Sequence, residues 1–479
     1  MASIAELFEP RSPVMKLASS FASRGHELYL VGGPVRDSLI KRPVEDVDLS
    51  TDATPDVILE IVSPVASAVW EQGKEFGTIG AAIEGTRFEI TTFRTERYQP
   101  ASRHPEVSFS DDVVTDLSRR DFTINAMAIR LPGKEAIDPF GGVEDLRARV
   151  LRTPVDPKIS FSDDPLRMLR AFRFASQLDF GIHADTLAAI TAMASELATV
   201  SNERIRDELS KLIMGLAPAR ALELATDCGL TQLFLPELPA LKLEQDPIQR
   251  HKDVFHHTLA VVERTEPDLI VRLAALLHDI GKPKTRRIDE TGVTFHHHEV
   301  VGADMAAARL RELRFPNDVV HGVSEIIRLH HRFHTYRLGW TDSAVRRYVR
   351  DAGSLLEPLN RLVRADCTTR NRAKAARLAE RMDDLDARIA ELAEQEELDR
   401  IRPDLDGAQV MAFLGIPPGP IVGRAAAFLL EERLERGPLD PDDAYASLAA
   451  WASENGIEVA GTKVPPKPRG RLDDPGGKK

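Results

Sequence analysis

Residues 30–49 read LVGGPVRDSLIKRPVEDVDL and combine a paired glycine with two aspartates one residue apart. We predict a strand that ends at Gly32-Gly33, then a short helix, then a second strand over residues 44–49. Side chains alternate along a strand, so Asp46 and Asp48 would point the same way, with Cα atoms roughly 6–7 Å apart. Carboxylates that close repel each other unless cations lie between them, and magnesium, which prefers oxygen ligands, suits this position. The alternative for an isolated pair is an aspartate-rich surface turn.

The length and composition describe a globular protein of several domains. A chain of 479 residues is too long for one ordinary core, so we expect about two to four domains. We find no apolar run approaching about 18 residues and no signal-peptide pattern at the start, so no membrane span is expected. Two cysteines, Cys228 and Cys367, do not indicate a secreted disulfide framework, and a cytoplasmic location is expected.

The charge distribution leaves nucleic-acid contact open. A net charge of −12 argues against a surface covered in nucleic-acid-binding residues. Arginines nevertheless cluster between residues 119 and 173, and phosphate binding depends on such local clusters.

The chain changes character along its length. Strand-like runs and turn signals alternate from residue 26 to about 148, and the pattern is helical from 163 to about 225. The helical stretch over residues 230–366 holds 11 of the 14 histidines, which indicates a separate module. Beyond residue 370 the sequence predicts an amphipathic helix packed on a neighbour, from the heptad-like series Leu378, Met382, Leu385, Ile389 and Leu392. The expected fold class is α+β, a mixed sheet with helices followed by all-helical regions.

A carboxylate and a guanidinium in DDPLRMLRAFRF, residues 163–174, could read nucleobases. Asp164 is expected to cap a helix that begins at Pro165, and Asp164 and Arg167 would share one helix face. The carboxylate only accepts hydrogen bonds and the guanidinium only donates them. Cytosine and adenine both present an amino donor beside a ring-nitrogen acceptor, whereas uracil and guanine present the opposite order. The pair could therefore accept C and A and reject U and G; the alternative is an ordinary salt bridge.

Further arginines could hold phosphate. The adjacent Arg119 and Arg120 could bind a triphosphate through bidentate contacts, although alone they would read as a turn with solvated charges. Arg170 and Arg173 continue the stripe from Arg167 and could hold phosphate or base.

Six motifs occur in one order: LVGGPVRD, EDVDLST, RRDFTINAMA, DPFGG, DDPLRMLRAFRF and NERIRDEL. This order resembles the bacterial tRNA nucleotidyltransferase/poly(A) polymerase family, the class II branch of the DNA polymerase β-like nucleotidyltransferases, over roughly residues 15–240. The resemblance implies a polymerase β-like catalytic head, a helical neck and body, and addition of CCA to the tRNA 3′ end from CTP and ATP without a nucleic-acid template. It also implies that the protein recognises the acceptor arm of tRNA by shape and backbone.

The resemblance assigns roles to individual positions. Asp46 and Asp48 would bind two catalytic Mg²⁺ ions about 3.5–4 Å apart, which activate the 3′-hydroxyl and neutralise the departing pyrophosphate. The sequence has Asp163-Asp164 where the family often has Glu-Asp, and the base-reading aspartate is retained. The remaining positions that would contact the incoming nucleotide or form the protein template are Gly33, Arg36, Arg120, Asp164, Arg167, Arg170 and Arg173.

The histidine-rich module resembles the HD-domain metal-dependent phosphohydrolases. Imidazole and carboxylate together suit transition metals or magnesium, whereas a lone His-Asp pair is more often a capped helix end. The resemblance implies a divalent metal held by His257, His278, Asp279 and Asp366, with His298 and His330 able to hold a second ion. The module could instead be structural or inert, and its metal and substrate are left open.

Four domains are expected: a head over residues 1–148, a neck and body over 149–230, an HD domain over 231–370, and a helical C-terminal region with a disordered tail over 371–479. The resemblance favours full CCA addition over CC-only addition, because the chain has a polar loop at 98–105 and CC-only members of the family lack such a loop. Enzymes that add only A and poly(A) polymerases share the same motifs, so both remain alternatives. A different class of enzyme is also an alternative: an HD phosphohydrolase whose head only binds a nucleotide. The oligomeric state is left open.

Overall fold

The structure is a computed structural model that describes residues 4–44, 47–97, 106–110, 112–243, 253–289, 292–335, 340–367, 372–396 and 401–466. Asp46 and the loop at 98–105 lie outside these described residues. The chain divides into two compact units, one of residues 1–296 with 305–320 and the other of residues 297–304 with 321–479. No helix among the described residues is long and apolar enough to cross a membrane.

The N-terminal part of the first unit alternates helices and strands. Its elements are α1 (Ile4–Leu7), α2 (Pro13–Ser23), β1 (Leu28–Val31), α3 (Gly33–Leu39), β2 (Val47–Thr51), α4 (Pro55–Val62), β3 (Ala68–Trp70), β4 (Thr78–Ile83), β5 (Thr86–Thr92), β6 (Arg94–Arg97), β7 (Glu106–Phe109), α5 (Val113–Ser118), β8 (Ala128–Leu131), β9 (Glu135–Ile137) and α6 (Gly142–Ala148).

Seven of these strands form one mixed sheet in the order β3-β4-β5-β2-β1-β8-β9. β2 pairs parallel with β5, and the other neighbours in the sheet pair antiparallel. All four residues of β1 are buried, because β1 lies inside the sheet between β2 and β8. On one face, Tyr29 and Val31 of β1 pack against Phe93 and Leu117. The mixed sheet with helices confirms the α+β expectation.

The rest of the first unit is mostly helical. It contains β10 (Val150–Leu151), α7 (Pro157–Asp163), α8 (Leu166–Leu178), β11 (Gly181–Ile182), α9 (Ala184–Met193), α10 (Asn202–Ile213), α11 (Pro218–Asp227), α12 (Val254–Arg264), α13 (Leu269–Leu277), α14 (Lys282–Thr285), β12 (Arg286–Asp289) and β13 (Gly292–Phe295). α8 packs against both α10 and α11. Most of α8 is buried, including Met168, Leu169 and Phe172 at helical spacing.

The remaining helices are α15 (His298–Glu312), α16 (Asn317–Leu329), α17 (Asp342–Ala352), α18 (Leu356–Asp366), α19 (Arg372–Glu396), α20 (Gly407–Leu414), α21 (Pro420–Arg436) and α22 (Pro441–Glu454). α19 packs on α17 and buries Met382, Leu385 and Leu392, as the heptad-like series predicts. α20, α21 and α22 share a further core around Phe413 and Leu448.

The second strand is described over Val47–Thr51 and Val44 forms a bridge; the two residues between them lie outside the described residues. One local expectation differs from the structure. The template helix begins at Leu166 with Pro165 at its N-cap, and Asp164 is the C-cap of α7. The Asp164 carboxylate still accepts a hydrogen bond from the Leu166 N–H at 3.2 Å. It therefore satisfies a backbone donor at the start of α8, although Asp164 lies one residue before the N-cap.

Candidate active site

A cavity of about 890 Å³ lies in the first unit, between the sheet and helices α8 and α10. Glycines, arginines and carboxylates line most of it, so the cavity suits a polar and negatively charged ligand. Its lining includes the sequence-predicted Gly33, Arg36, Asp48, Arg120, Asp164, Arg167, Arg170 and Arg173, together with Glu89, Arg119, Asp121, Asn125, Phe174, Arg204 and Lys211.

The turn after β1 requires glycine. Gly32 is the N-cap of α3 and has a φ of 72°, a conformation that L side chains rarely adopt. A Cβ there would lie 2.9 Å from the Arg120 Nη1 and 3.7 Å from the Asp48 Oδ2. The missing side chain therefore lets the Asp48 carboxylate and the Arg120 guanidinium approach the start of α3 closely.

Two carboxylates meet on neighbouring strands at the edge of the cavity. Asp48 on β2 is directly opposite Glu89 on β5 in the parallel register, and both line the cavity. Carboxylate oxygens are the ligands that Mg²⁺ prefers, so this donor set fits the ion. Sequence reasoning missed Glu89 because its strand lies 41 positions away (89 minus 48), and only the strand pairing reveals it.

Arg36 and Arg120 are held by acidic and polar neighbours. The Arg36 guanidinium donates to both Asp37 oxygens at 2.9 and 2.8 Å and to the Asn125 Oδ1 at 2.7 Å. Arg120 pairs with Asp116 at 3.4 Å, and Asp116 is fully buried. Burial raises the pKa of Asp116, but the charges of Arg119 and Arg120 outweigh burial and lower it overall. The arginines at this side of the cavity are therefore positioned before any ligand binds.

Asp164 and Arg167 both line the cavity but take different partners. The Asp164 Oδ2 accepts a hydrogen bond from Arg204 Nη2 at 2.8 Å. Arg167 is buried and donates to the Ser160 Oγ at 3.0 Å and to the Arg119 carbonyl at 2.5 Å. The described side chains thus do not form the ordinary Asp164–Arg167 salt bridge that was the alternative to base reading.

Arg170 and Arg173 are neutralised by two buried carboxylates. Arg170 Nε donates to the Asp121 Oδ2 at 2.9 Å, and Arg173 Nε lies 2.6 Å from the Glu208 Oε2. Burial raises the pKa of Asp121, but the Arg170 charge and the Asn125 hydrogen bond outweigh it and hold the pKa well below the usual range. Burial and the Arg170 charge lower the pKa of Arg173 to about 10, so it stays protonated at neutral pH.

Phe174 is surrounded by guanidinium groups. The Cζ atoms of Arg36, Arg170 and Arg173 lie 5.3, 5.5 and 3.9 Å from the centroid of the Phe174 ring. An aromatic face attracts cations, so the Phe174 ring offsets part of the repulsion between these three positive side chains at the cavity wall. Phe174 is the last residue of the motif DDPLRMLRAFRF, and the sequence alone did not predict that it contacts these arginines.

Three of the predicted HD-domain ligands are buried together in the first unit. The Asp279 Oδ2 lies 3.2 Å from the His278 Nε2 and 3.7 Å from the His257 Nε2. The His278 Nδ1 faces the Ala275 carbonyl at 2.8 Å, an arrangement that fixes the tautomer and leaves Nε2 for a metal. These donors fit a divalent cation.

The other three predicted ligands belong to the second unit. The rings of His298 and His330 are buried, with centroids 5.4 Å apart. The His330 Nδ1 lies 2.5 Å from the Ile327 carbonyl, which again leaves Nε2 as the acceptor nitrogen. Asp366 is the last residue of α18.

Three family matches follow the chain in order. Residues 28–152 match the poly(A) polymerase head domain, residues 179–241 match the probable RNA- and SrmB-binding site of polymerase A, and residues 254–398 match the HD domain. The A-adding tRNA nucleotidyltransferase of Deinococcus radiodurans is 34% identical over 440 residues, which are 89% of this chain and 95% of that protein. The chain belongs to the class II CCA-adding enzyme and poly(A) polymerase family.

Other members of this nucleotidyltransferase family match over shorter segments or by structure. The CCA-adding enzyme of Geobacillus sp. (strain WCH70) is 41% identical over 231 residues, which are 48% of this chain and 56% of that protein. This chain thus spans only about half the length of that curated relative. The crystal structure of the Bacillus stearothermophilus CCA-adding enzyme in complex with CTP has a TM-score of 0.69 and 26% identity, covering 92% of this chain and 97% of that one. The family is one of tRNA nucleotidyltransferases, and its head and HD domains imply divalent metals.

Proposed function

We propose that the protein completes the 3′ end of tRNA by adding C, C and A from CTP and ATP. The observation that carries this proposal is the presence of Asp164 and Arg167 in the same cavity as Asp48. A carboxylate and a guanidinium within one cavity supply an acceptor and a donor for the edge that cytosine and adenine share. The CCA-adding relatives support the same substrate pair.

The residues of the head divide the chemistry between them. Asp46 and Asp48 would hold magnesium, with Glu89 as a further carboxylate opposite Asp48. Magnesium, when bound, would activate the attacking 3′-hydroxyl and neutralise the pyrophosphate. Arg36 and Arg120, together with the backbone at Gly33, would orient the triphosphate, because guanidinium groups match phosphate oxygens geometrically.

Arg170 and Arg173 would support the template rather than stand free for a ligand. Arg170 donates to Asp121 and Arg173 forms an ion pair with Glu208, so a buried carboxylate already neutralises each guanidinium. The positive wall that they form with Phe174 would still attract the nucleotide. The four-domain division at residues 148, 230 and 370 remains part of this proposal.

A-only addition is the second candidate. One relative that aligns along 89% of the chain is named an A-adding tRNA nucleotidyltransferase. The polar loop at 98–105 distinguishes CCA addition from CC-only addition, and it lies outside the described residues. Asp164 and Arg167 accept adenine as well as cytosine, so an A-adding enzyme would use the same cavity.

One assay separates the candidates. Purified protein is incubated with tRNA lacking CCA, with tRNA ending in CC and with complete tRNA, each with one labelled nucleotide or with CTP plus ATP. We expect C on the first substrate, a single A on the second and no addition to the third. Addition of A without any C selects the A-adding enzyme, and unlimited A addition selects a poly(A) polymerase. No incorporation at all would reject the proposal and favour a phosphohydrolase with a nucleotide-binding head.

We further propose that the HD domain binds a divalent metal and hydrolyses a phosphoester. The HD match covers all six predicted ligands, from His257 to Asp366. Neutral imidazole and carboxylate together suit transition metals or magnesium. Hydrolysis of a chromogenic phosphodiester with Mn²⁺, Ni²⁺ or Mg²⁺ tests this, and absence of turnover with all three would leave a structural or inert module.

A further inference from the structure

We propose that Arg204 is a specificity-determining positioning residue, which holds the Asp164 carboxylate in the orientation that selects C and A. This inference deepens the proposed nucleotidyl transfer and rests on it. Arg204 lies on α10, lines the cavity and donates from Nη2 to the Asp164 Oδ2 at 2.8 Å.

The two halves of the proposed base reader are fixed by different means. Arg167 is 7% exposed, and the Ser160 side chain, the Ser160 carbonyl and the Arg119 carbonyl all accept from it. Its direction is therefore set by the core around it. Asp164 sits between two helices, as the C-cap of α7 and just ahead of α8, where the backbone gives its carboxylate one hydrogen bond. Arg204 supplies the side-chain contact that fixes the second oxygen.

The contact restricts rotation of the carboxylate. The Leu166 N–H binds Asp164 Oδ1 at 3.2 Å and Arg204 binds Oδ2 at 2.8 Å, so each oxygen has one directional partner. A carboxylate oxygen has further lone pairs, which remain for the amino group of an incoming base. Uracil presents a carbonyl where cytosine presents that amino group, and its N3–H donor lies elsewhere on the edge. A carboxylate free to turn could follow that donor, and a carboxylate held by Arg204 cannot.

α10 presents a second contact on the same face. Glu208 is four residues after Arg204, one helical turn away, and it pairs with Arg170 and Arg173. One helix therefore contacts both the Asp164 carboxylate and the arginines that follow it on α8. Arg204 is also half exposed, with 53% of its side chain accessible, so its removal opens no cavity in the core. A mere surface ion pair would contribute little to stability and nothing to base choice.

The test compares Arg204→Gln with Arg220→Gln. Arg220 is a matched control: it is 57% exposed, pairs with Asp179 at 3.6 Å in the same unit and does not line the cavity. Steady-state kinetics with CTP and with UTP on tRNA lacking CCA give KM, kcat and the ratio of kcat/KM values. Equilibrium binding of CTP and UTP in Mg²⁺ buffer gives a second readout that does not depend on turnover.

For Arg204→Gln we expect KM for CTP to rise and the preference for CTP over UTP to fall by about tenfold, equivalent to about 1.4 kcal/mol, with kcat nearly unchanged. Arg204→Lys should restore part of the preference, because an ammonium group donates to the same oxygen without the planar geometry. Arg220→Gln should match the wild type. The unfolding midpoints of all variants should agree, which separates this role from a structural one.

The outcomes distinguish two failures. If the wild type adds C and A but Arg204→Gln keeps the wild-type preference for CTP over UTP, the role of Arg204 is overturned and the proposed function stands. A fall in kcat alone, shared by CTP and UTP, overturns it as well. If the wild type incorporates neither nucleotide, the proposed function fails and the inference falls with it. Should Arg204→Gln not fold, the comparison of Arg204→Lys with Arg220→Lys decides between the same outcomes.

Discussion

Asp48 is the described carboxylate on which the proposed chemistry depends most directly. Replacing it with asparagine keeps the shape but removes the charge opposite Glu89. Because two-metal sites stabilise several kcal/mol of developing charge, we expect Asp48→Asn to lower kcat by about 10³-fold or more. Gel-shift binding of tRNA should change little. Asp56→Asn, at an exposed acid that pairs with Lys74, is the control and should retain full activity.

Asp121 is a buried residue whose charge stabilises the fold. Asp121→Asn leaves the Arg170 guanidinium with only its 3.4 Å contact to Glu208 among the described carboxylates, so the variant should lose about 2–3 kcal/mol in the free energy of unfolding at pH 7. The control is Asp227→Asn at an exposed ion pair with Lys242, which should cost less than about 1 kcal/mol. Urea unfolding measures both values, and equal costs for the two variants would contradict the role of Asp121.

The same substitution predicts a pH dependence with a definite sign. The pKa of Asp121 is lower in the folded protein than its usual value, so its charge stabilises the folded state. That stabilisation is fully present above pH about 4 and is lost as the pH falls towards the folded-state pKa. The difference between wild type and Asp121→Asn should therefore shrink when urea unfolding is repeated from pH 5 down to pH 3. A difference that stays constant over this range would count against the assignment.

Some of the residues that line the cavity could be predicted from the sequence, and others could not. Gly33, Arg36 and Asp164 lie in short motifs whose residue types already suit phosphate or base contact, so the sequence could indicate them. The sequence did not predict a role for Arg204 and Glu208 of the motif NERIRDEL. Their partners, Asp164 and Arg173, lie on α8 or just before it and are not neighbours in the sequence. Sequence spacing describes one element, and such roles arise only where two elements meet.

Arg272 joins three helices in the first unit. Its guanidinium donates to the Thr265 carbonyl at the end of α12 and to the Ile213 and Gly215 carbonyls at the end of α10. Arg272→Met would leave these buried acceptors without their donor, and we expect a loss of about 3 kcal/mol. Thermal unfolding measures the loss. Arg264→Met, at an exposed position in the last turn of α12, should unfold at the wild-type temperature.

The order and type of the elements could be read from the sequence, and their ends could not. The apolar run before the paired glycine predicts a strand that ends at Gly32-Gly33, and β1 ends at Val31, because burial on both faces imposes a continuous apolar pattern. The described part of β2 pairs with β5 from Val47, opposite Phe88. A residue enters a strand when a partner strand reaches it, and that partner is not visible in local sequence.

The two proposed chemistries of the molecule should be separable. His278 and Asp279 do not line the nucleotide cavity. We expect the double variant His278→Gln/Asp279→Asn to lose bound metal, measured by plasma mass spectrometry, while CTP incorporation stays within about twofold. His256→Gln, at an exposed histidine next to His257, should keep its metal. Loss of incorporation in the double variant, with folding intact, would instead show that the HD metal supports the head.

Composition anticipated the modular plan because each module has its own chemistry. The histidine enrichment between residues 230 and 366 falls largely within the HD match at 254–398. Domain limits are harder to predict, because two kinds of limit differ. A family match ends where sequence similarity ends, whereas a structural domain ends where its hydrophobic core ends. The predicted limits at residues 148, 230 and 370 therefore stay predictions.

The charges that α8 and α10 share with Asp121 have an evolutionary consequence. Arg170, Asp121, Arg173 and Glu208 neutralise one another in a shared, mostly buried neighbourhood. A single substitution leaves an opposite charge stranded, so its fitness effect depends on which partners are present. Drift at these positions should proceed through compensated pairs, and a laboratory selection for a new base preference should recover double changes of opposite sign more readily than either one alone.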